Sequence, residues 1–397
     1  MAVLGGLLVV GALLSSLAKR SFLSLTALFV VAGFVLGDGG LEVLHFDPTS
    51  GFVTDLAIVA LVVILFRDGL EVDREMLPAW RLPLRKLVFA MPLTAAIVAL
   101  VTHALTDLDW LQSFLVGALL SPTDPVLSSS VVTNPRVPAI IRHSLNLESG
   151  LNDGLALPFV LALVAALNES DFNAVTFVLQ DVGLGLAYGV GIGLIASLYV
   201  PGDGSGRSLY ALGAGIFAYG TSVLPGHGNG IIAVFVCAIV LGVRRPEVRE
   251  EFVRRAEDIV EIVKLGVFVV FGSLLTFDAL FHDGWAAVAI VFVLFVVARP
   301  VSVWAALAGS RLPWDTKAFM AWFGPKGVAT MTFSILVLGA GVPGAQRIFD
   351  LCALAVFCSI LLHGLTDHPG AEWMARRVER REQEHAREPM SAGAPRL

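Results

Sequence analysis

The chain has 397 residues, of which 56% are hydrophobic and only 15% are charged, and its formal net charge is −6. Water-soluble domains contain about a quarter charged residues, so this composition excludes an ordinary soluble protein and predicts an integral membrane protein. The mild acidic balance gives no reason to expect a nucleic-acid partner. The three cysteines, Cys237, Cys352 and Cys358, lie in apolar runs without metal-ligand spacing, which is typical of small buried side chains.

Long apolar runs separated by short polar loops predict an all-α polytopic membrane protein. A membrane-spanning helix needs about 20 largely apolar residues. Thirteen runs qualify, at residues 2–18, 22–37, 51–66, 83–104, 110–131, 145–168, 174–200, 207–224, 229–243, 256–276, 284–309, 316–340 and 347–366. The first run is followed by its basic pair, so we expect a transmembrane helix there and not a cleaved signal peptide.

Lysine and arginine residues alternate between the predicted loops in a way that sets the orientation. With the N-terminus outside, the cytoplasmic segments and the polar tail contain 23 of the 27 basic residues, Lys86 among them, and the outer loops contain only Arg347. The positive-inside rule therefore predicts a multi-pass protein of the cell (inner) membrane with a cytoplasmic C-terminus. The remaining three, Lys264, Arg299 and Lys326, fall inside predicted spans.

Two predicted spans are interrupted at matching places. Span 5 contains "SPTDP" (121–125, the first break) and span 12 contains "FGPKG" (323–327, the second break). The interrupting residues are Pro122 and Pro125 in the first break, and Gly324, Pro325 and Gly327 in the second. Each break lies in the middle span of a three-span group. Spans 1–6 and 8–13 are therefore predicted to form two inverted six-helix repeats joined by span 7, the plan of many secondary transporters.

The breaks also carry opposite charges. A proline removes an N–H and frees a carbonyl, which lipid tolerates only where the backbone lines a cavity or is covered by protein. Half-helix ends carry partial charge, so we expect Asp124 to offset positive ends and Lys326 to offset negative ends. Ordinary proline kinks are the alternative interpretation, but kinks alone do not account for an acid in one break and a base in the other.

Span 6 opens with the polar stretch "NLESGLNDG" (146–154). Ser149 and Asp153 are four residues apart and share a helix face, with Asn152 beside them. A charge inside the membrane needs a partner or a function. We expect Glu148 to form a structural ion pair with Arg299 of span 11, across the two halves.

Asp153 has no evident basic partner in the sequence. Burial favours the neutral form of such an acid, so Asp153 can hold either a proton or a small cation, but not easily both. Hard monovalent cations prefer oxygen ligands. Asp124, the Ser149 hydroxyl and the carbonyls around Thr123 could supply them.

These four features in order resemble the monovalent cation:proton antiporters, in their sodium/proton exchanger branch. The resemblance rests on "SPTDP", "ESGLNDG", Arg299 and "GPKG" and covers essentially the whole chain. It implies a secondary antiporter that exchanges Na⁺ or Li⁺ for H⁺, with Asp153 as the carrier and no cofactor beyond the transported ion. It also implies that the Asn152–Asp153 pair belongs to the electroneutral, one-for-one class, whereas an Asp–Asp pair marks electrogenic exchange.

The resemblance further implies a homodimer in which a core moves like an elevator against a scaffold. The expected transmembrane domain covers 1–369, with core helices at about 83–168 and 284–366. The scaffold would comprise about 1–66 and 207–276, the linker helix about 174–200, and a short amphipathic or disordered cytoplasmic tail 370–397.

Two positions depart from the family pattern. Lys326 stands where relatives often have arginine, and Arg67, in "LFRDGLEVD", stands where many have a glutamate after the phenylalanine. If that glutamate helps form a cytoplasmic funnel for cations, Arg67 would oppose it.

Three alternatives remain open. The first is an antiporter of the same fold and mechanism with K⁺ as its main substrate. The second is an intramembrane hydrolase with an Asp124–Asp153 dyad or a Ser149 nucleophile, although it lacks the expected glycine-x-glycine-aspartate stretch and a histidine at matching depth. The third is a passive channel, which inverted repeats with a titratable acid do not favour.

Overall fold

The computed structural model describes residues 5, 6, 9, 25–72, 81–124, 129–202, 204–224 and 228–387, and within these ranges the chain forms helices and loops without a β-strand. The helices are α1 (Leu25–Leu36), α2 (Gly51–Leu70), α3 (Arg81–Leu105), α4 (Trp110–Leu119), α5 (Ser129–Thr133), α6 (Ala139–Asn168), α7 (Ala174–Ala196), α8 (Gly204–Val223), α9 (Gly230–Arg244), α10 (Pro246–Ser273), α11 (Phe277–Leu280), α12 (Trp285–Ala306), α13 (Trp314–Trp322), α14 (Val328–Gly339) and α15 (Ala345–Arg387).

The all-α membrane fold predicted from the sequence is confirmed. Predicted spans 2 to 13 each coincide with helical structure, whereas most of the first span lies outside the described residues. Among the described helices, α3, α6, α7, α12 and α15 are long and apolar enough to cross a membrane, and α1, α4, α9 and α14 are shorter apolar helices. The total of thirteen spans stays a prediction.

Both predicted breaks interrupt helical structure. Helix α4 ends at Leu119, and the chain is non-helical through Asp124, whereas Pro125 lies outside the described residues. The second break separates α13 from α14 over residues 323–327. Spans 5 and 12 are therefore pairs of short helices, as the prolines and glycines predict.

Helices α3 and α12 contain matching π-helical turns. The segments "KLVFAMP" (86–92) and "LFVVARP" (294–300) share a valine, an alanine and a final proline in the same register. In each, the residue before the proline donates its N–H to the carbonyl five residues earlier, from Met91 to Lys86 and from Arg299 to Leu294. Proline has no N–H, so a π-turn absorbs the disturbed hydrogen-bond ladder.

The two π-turns lie where α3 and α12 cross. The first half of α12 packs on the second half of α3, and the end of α12 packs on the turn 86–90. The helices therefore run in opposite directions, as inverted repeats require.

The last helix differs from the prediction. Helix α15 continues through Pro369 to Arg387 as one helix of 43 residues, so residues 370–387 are neither disordered nor separate from the last span, whereas an amphipathic cytoplasmic segment stays a prediction. Ala371 and Met374 are fully buried and belong to a hydrophobic cluster with Phe319 and Phe323. Apolar packing against α13 therefore extends the helix beyond the membrane-spanning run.

Candidate functional site

The two breaks are in direct contact. The Asp124 main-chain N–H donates to the Pro325 carbonyl over 2.8 Å, and the Val328 N–H donates to Asp124 Oδ2 over 3.0 Å. Val328 is the first residue of α14, so the Asp124 carboxylate caps the positive end of that half-helix. A β-carbon at Gly327 would overlap the same carboxylate, which accounts for a glycine at this position.

Lys326 provides the reciprocal contact. Its ammonium donates to the Ser121 carbonyl at 3.1 Å and to the Pro122 carbonyl at 2.9 Å, and its side chain is fully buried. These carbonyls follow the end of α4, where no further helical turn offers them an N–H. The Thr330 hydroxyl donates to the Leu119 carbonyl over 3.0 Å. Asp124 of the first break thus caps the start of α14, and Lys326 of the second break binds the carbonyls that follow the end of α4.

Glu148 forms ion pairs with two bases. Arg299 Nη1 lies 3.1 Å from Glu148 Oε1, and Lys86 Nζ lies 2.5 Å from Glu148 Oε2. Arg299 Nη2 also donates to the Phe323 carbonyl over 3.2 Å. A β-carbon at Gly324 would overlap the guanidinium. Through Arg299, the Glu148 cluster is tied to the second break.

The placement of Lys86 corrects the sequence analysis, which assigned it to a cytoplasmic segment. Its side chain is 0% exposed, and it begins the π-turn of α3. The neighbouring Arg85 extends to the Ala308 carbonyl instead. The available signal in the sequence was that Lys86 lies just inside an apolar run. Composition alone does not distinguish a lysine at that place from a basic residue of the adjoining loop.

Asn152 and Asp153 lie beside the first break. Asn152 Nδ2 donates to the Thr123 hydroxyl at 2.8 Å and to the Thr123 carbonyl at 3.2 Å. A carbonyl only accepts, so the amide nitrogen must face Thr123 and the amide oxygen must point elsewhere. Asn152 Oδ1 and Asp153 Oδ1 are both buried without a hydrogen-bond partner among the described residues.

The ion pairs leave Asp153 unneutralised. Among the described residues, Asp153 has no ion-pair partner within 4.0 Å, although it is only 7% exposed. Asp68 and Asp124 are close enough to act on it electrostatically, as are Lys264 and Lys326. Ser149 is buried on the same helix face, but in the described part of the chain it forms no hydrogen bond with Thr123, Asp124 or Asp153.

A cavity of about 520 Å³ opens beside this site. Its lining combines residues of α2, α6 and α10, including Asp68, Glu71, His143, Asn146, Arg249 and Arg254. The Arg67 guanidinium lies 2.9 Å from Glu71 and 3.6 Å from Asp68, two acids of this lining. The positive charge of Arg67 therefore lies beside the cavity, and the expectation that it opposes cations in a cytoplasmic funnel stays a prediction.

Asp68, Ser359 and His363 are buried polar residues that the sequence analysis did not assign to the site. Asp68 follows the predicted end of span 3. Ser359 and His363 lie within "CSILLHG" (358–364), where two polar residues four apart in an apolar run were the available signal.

Known proteins that resemble this chain can be compared with it over nearly its whole length. Residues 6–373 match the family described as "sodium/hydrogen exchanger, transmembrane". The chain belongs to the sodium/hydrogen exchanger family. The chain is similar to the K(+)/H(+) antiporter NhaP2 of Shewanella oneidensis, at 29% identity over 372 residues that cover 89% of this chain and 63% of that protein.

Two further similarities extend the comparison. The K(+)/H(+) antiporter NhaP of Alkalimonas amylolytica is 26% identical, with 94% of this chain and 66% of the relative covered. The sodium proton antiporter MjNhaP1 of Methanocaldococcus jannaschii has the same fold, with a TM-score of 0.80 at 19% identity over 94% of this chain and 96% of that chain. The chain spans 63% of the length of the Shewanella exchanger.

Proposed function

We propose that this chain is a secondary antiporter that exchanges one monovalent cation for one proton, with Asp153 carrying either ion. The observation that carries the proposal is a pair of buried oxygens, on Asn152 and Asp153, that have no hydrogen-bond partner among the described residues and lie beside two broken helices. A buried carboxylate is costly without a counter-charge. A proton or a bound cation each supplies one, which makes their binding competitive.

The neighbouring charges support a one-for-one exchange. Glu148 is held by two bases, Lys326 lies on the carbonyls of the first break, and Asp124 caps α14. Each of these groups has a fixed structural contact, and the proposal therefore assigns the change of charge to Asp153. The proposed cation ligands are Asp153, Asn152, Thr123, Ser149 and Asp124, all oxygen donors that suit a hard cation.

The wider arrangement is proposed on the same basis. The cavity lined by Asp68 and Glu71 would be the cytoplasmic entrance, with the N-terminus outside and the C-terminus inside the cell membrane. The core would comprise about 83–168 and 284–366 and would move against a scaffold of about 1–66 and 207–276 in a homodimer. The residues after 370 would be cytoplasmic.

Na⁺ or Li⁺ is the proposed substrate, and K⁺ is the second candidate. The NhaP2 relatives are named as K(+)/H(+) antiporters, which favours K⁺, whereas MjNhaP1 is named as a sodium proton antiporter. Both ions suit the same oxygen ligands, so the distinction depends on the size of the site.

Reconstituted protein tests this function. Proteoliposomes containing a pH dye and a proton gradient are given Na⁺, Li⁺, K⁺ or choline, with and without a clamp on the membrane potential by an ionophore that does not carry the test cation. We expect a cation-driven pH change that ignores the potential and that choline does not produce. The Asp153→Asn variant should lose this response while remaining folded, whereas Asp278→Asn, a change at an exposed acid, should retain it.

Two results would contradict the proposal. Silence of the folded wild-type protein with every cation would remove the antiporter function. Wild-type activity in Asp153→Asn would remove Asp153 from its role. A response to K⁺ alone would keep the mechanism and assign the second candidate substrate.

A further inference from the structure

The second break removes one specific main-chain hydrogen bond. In an uninterrupted α-helix, the N–H of Lys326 would donate to the carbonyl of Trp322, four residues earlier. Helix α13 ends at Trp322, and residues 323–327 are non-helical. Both groups are therefore left inside the protein, where an unpaired N–H or carbonyl is costly.

Two side chains of α15 form hydrogen bonds with this N–H and this carbonyl. The Lys326 N–H donates to Ser359 Oγ over 2.7 Å, and His363 Nε2 lies 3.1 Å from the Trp322 carbonyl oxygen. Ser359 Oγ and His363 Nδ1 are 3.3 Å apart. The side chains thus form a relay that joins the N–H and the carbonyl separated by the break.

One arrangement of protons satisfies the relay. The Trp322 carbonyl can only accept, so His363 Nε2 carries the hydrogen, and Nδ1 of the neutral ring accepts from the Ser359 hydroxyl. Nδ1 also lies 3.0 Å from the Ser359 carbonyl, but an unprotonated Nδ1 has no hydrogen to donate to it. Every group in the relay then has a matching donor or acceptor.

The relay lies in an apolar and fully enclosed place. Ser359 is 0% exposed and His363 is 1% exposed. The His363 ring has three aromatic neighbours, with centroid distances of 5.6 Å to Phe295, 5.8 Å to Trp322 and 6.4 Å to Phe323. Polar side chains are costly in such surroundings unless they are hydrogen-bonded, so a serine and a histidine here need a specific purpose.

We propose that Ser359 and His363 are positioning residues for ion exchange, because they replace the main-chain hydrogen bond lost at the second break. By fixing the Lys326 main chain, they set where its ammonium meets the carbonyls of Ser121 and Pro122. Those carbonyls adjoin Thr123, which contacts Asn152. The inference rests on the proposed function, since its effect is read in cation exchange.

A matched pair of serine substitutions tests the inference. Ser359→Ala removes the relay hydroxyl, and Ser334→Ala makes the same change at a fully buried serine whose hydroxyl donates only to Met331 of its own helix. The apparent KM for Na⁺, or for K⁺ if the wild type prefers it, is measured in proteoliposomes and normalised to folded protein. We expect Ser359→Ala to raise KM roughly tenfold, as loss of one buried hydrogen bond allows, and Ser334→Ala to leave it within about twofold of wild type.

The KM distinguishes positioning from a merely structural role, which would lower the melting temperature and the amount of folded protein without changing KM. His363→Phe keeps a ring and removes both hydrogen bonds, so it should raise KM in the same way. Ser359→Cys retains a weakly hydrogen-bonding sulfur and should give an intermediate value, which also serves if the other variants do not fold.

The outcomes separate the two proposals. A wild-type protein without cation-driven exchange would contradict the antiporter function itself. An active wild type together with a folded Ser359 or His363 variant of unchanged KM would overturn the positioning role and leave the function intact.

Discussion

At the scale of single residues, the polar groups around the breaks have defined partners. Carbonyls freed by the first break accept from Lys326, the start of α14 is capped by Asp124, and Glu148 is shared by two bases. Among the acids beside the breaks, Asp153 differs because its Oδ1 is buried without a hydrogen-bond partner in the described chain. This difference, and not the number of buried charges, supports the proposal that Asp153 carries the ion.

The two bases on Glu148 should differ in their effect on stability. Arg299→Ala leaves Glu148 with one base and also strands the Phe323 carbonyl, so we expect it to cost about 3–5 kcal/mol of the free energy of unfolding. Lys86→Met fills similar volume and leaves Arg299 in place, so about 1–3 kcal/mol is expected. Lys326→Ala should cost less than Arg299→Ala, because its partners are neutral carbonyls.

Thermal unfolding of the purified variants in one detergent, at fixed pH and salt, measures these differences. A melting temperature for Arg299→Ala equal to that of wild type would show that the Glu148 ion pair does not stabilise the core.

At the scale of helices, α15 does more than cross the membrane. Its extension packs on α13, where the Phe319 and Trp373 rings stack with centroids 6.3 Å apart. Asp367 Oδ1 accepts from the Val131 N–H in α5 over 3.1 Å. The Trp322 indole donates to Thr366 over 3.0 Å. One continuous helix therefore contacts the half-helices that follow the first break and precede the second.

Two ion pairs at the end of α15 provide a matched test. Arg381 pairs with Asp315, whose side chain is 1% exposed, whereas Glu379 pairs with Arg136 at 2.9 Å in a site about half exposed. Asp315→Asn should therefore lower the free energy of unfolding by roughly 1–3 kcal/mol. Glu379→Gln should change it by less than about 1 kcal/mol, because exposed pairs are screened by solvent.

The same detergent melting experiment compares the two variants. Equal melting temperatures for Asp315→Asn and wild type would indicate that the ion pair between Arg381 and Asp315 does not stabilise the extension of α15.

At the scale of the whole molecule, the sequence predicts the membrane fold and the two breaks because hydropathy and proline act locally. The contact between Glu148 and Arg299 could also be predicted from the sequence, since few charged residues lie inside apolar runs. The burial of Lys86 could not be predicted, because the π-turn of α3 determines which of the two adjacent bases, Arg85 or Lys86, points inward. The link between His363 and Trp322 depends on two helices meeting in space, which no spacing within either helix reveals.

The central claim is that a cation and a proton compete for Asp153. The most direct measurement adds Na⁺, or the cation preferred in transport, to purified protein in weakly buffered detergent containing a pH dye, at the pH of half-maximal exchange. A cation that binds must displace the proton from every chain in which Asp153 is protonated. At saturating cation, the proton release should therefore approach about one per chain as the starting pH is lowered and more chains begin protonated. Asp153→Asn should release none. Cation binding by the wild type without proton release, or equal release by Asp153→Asn, would contradict it.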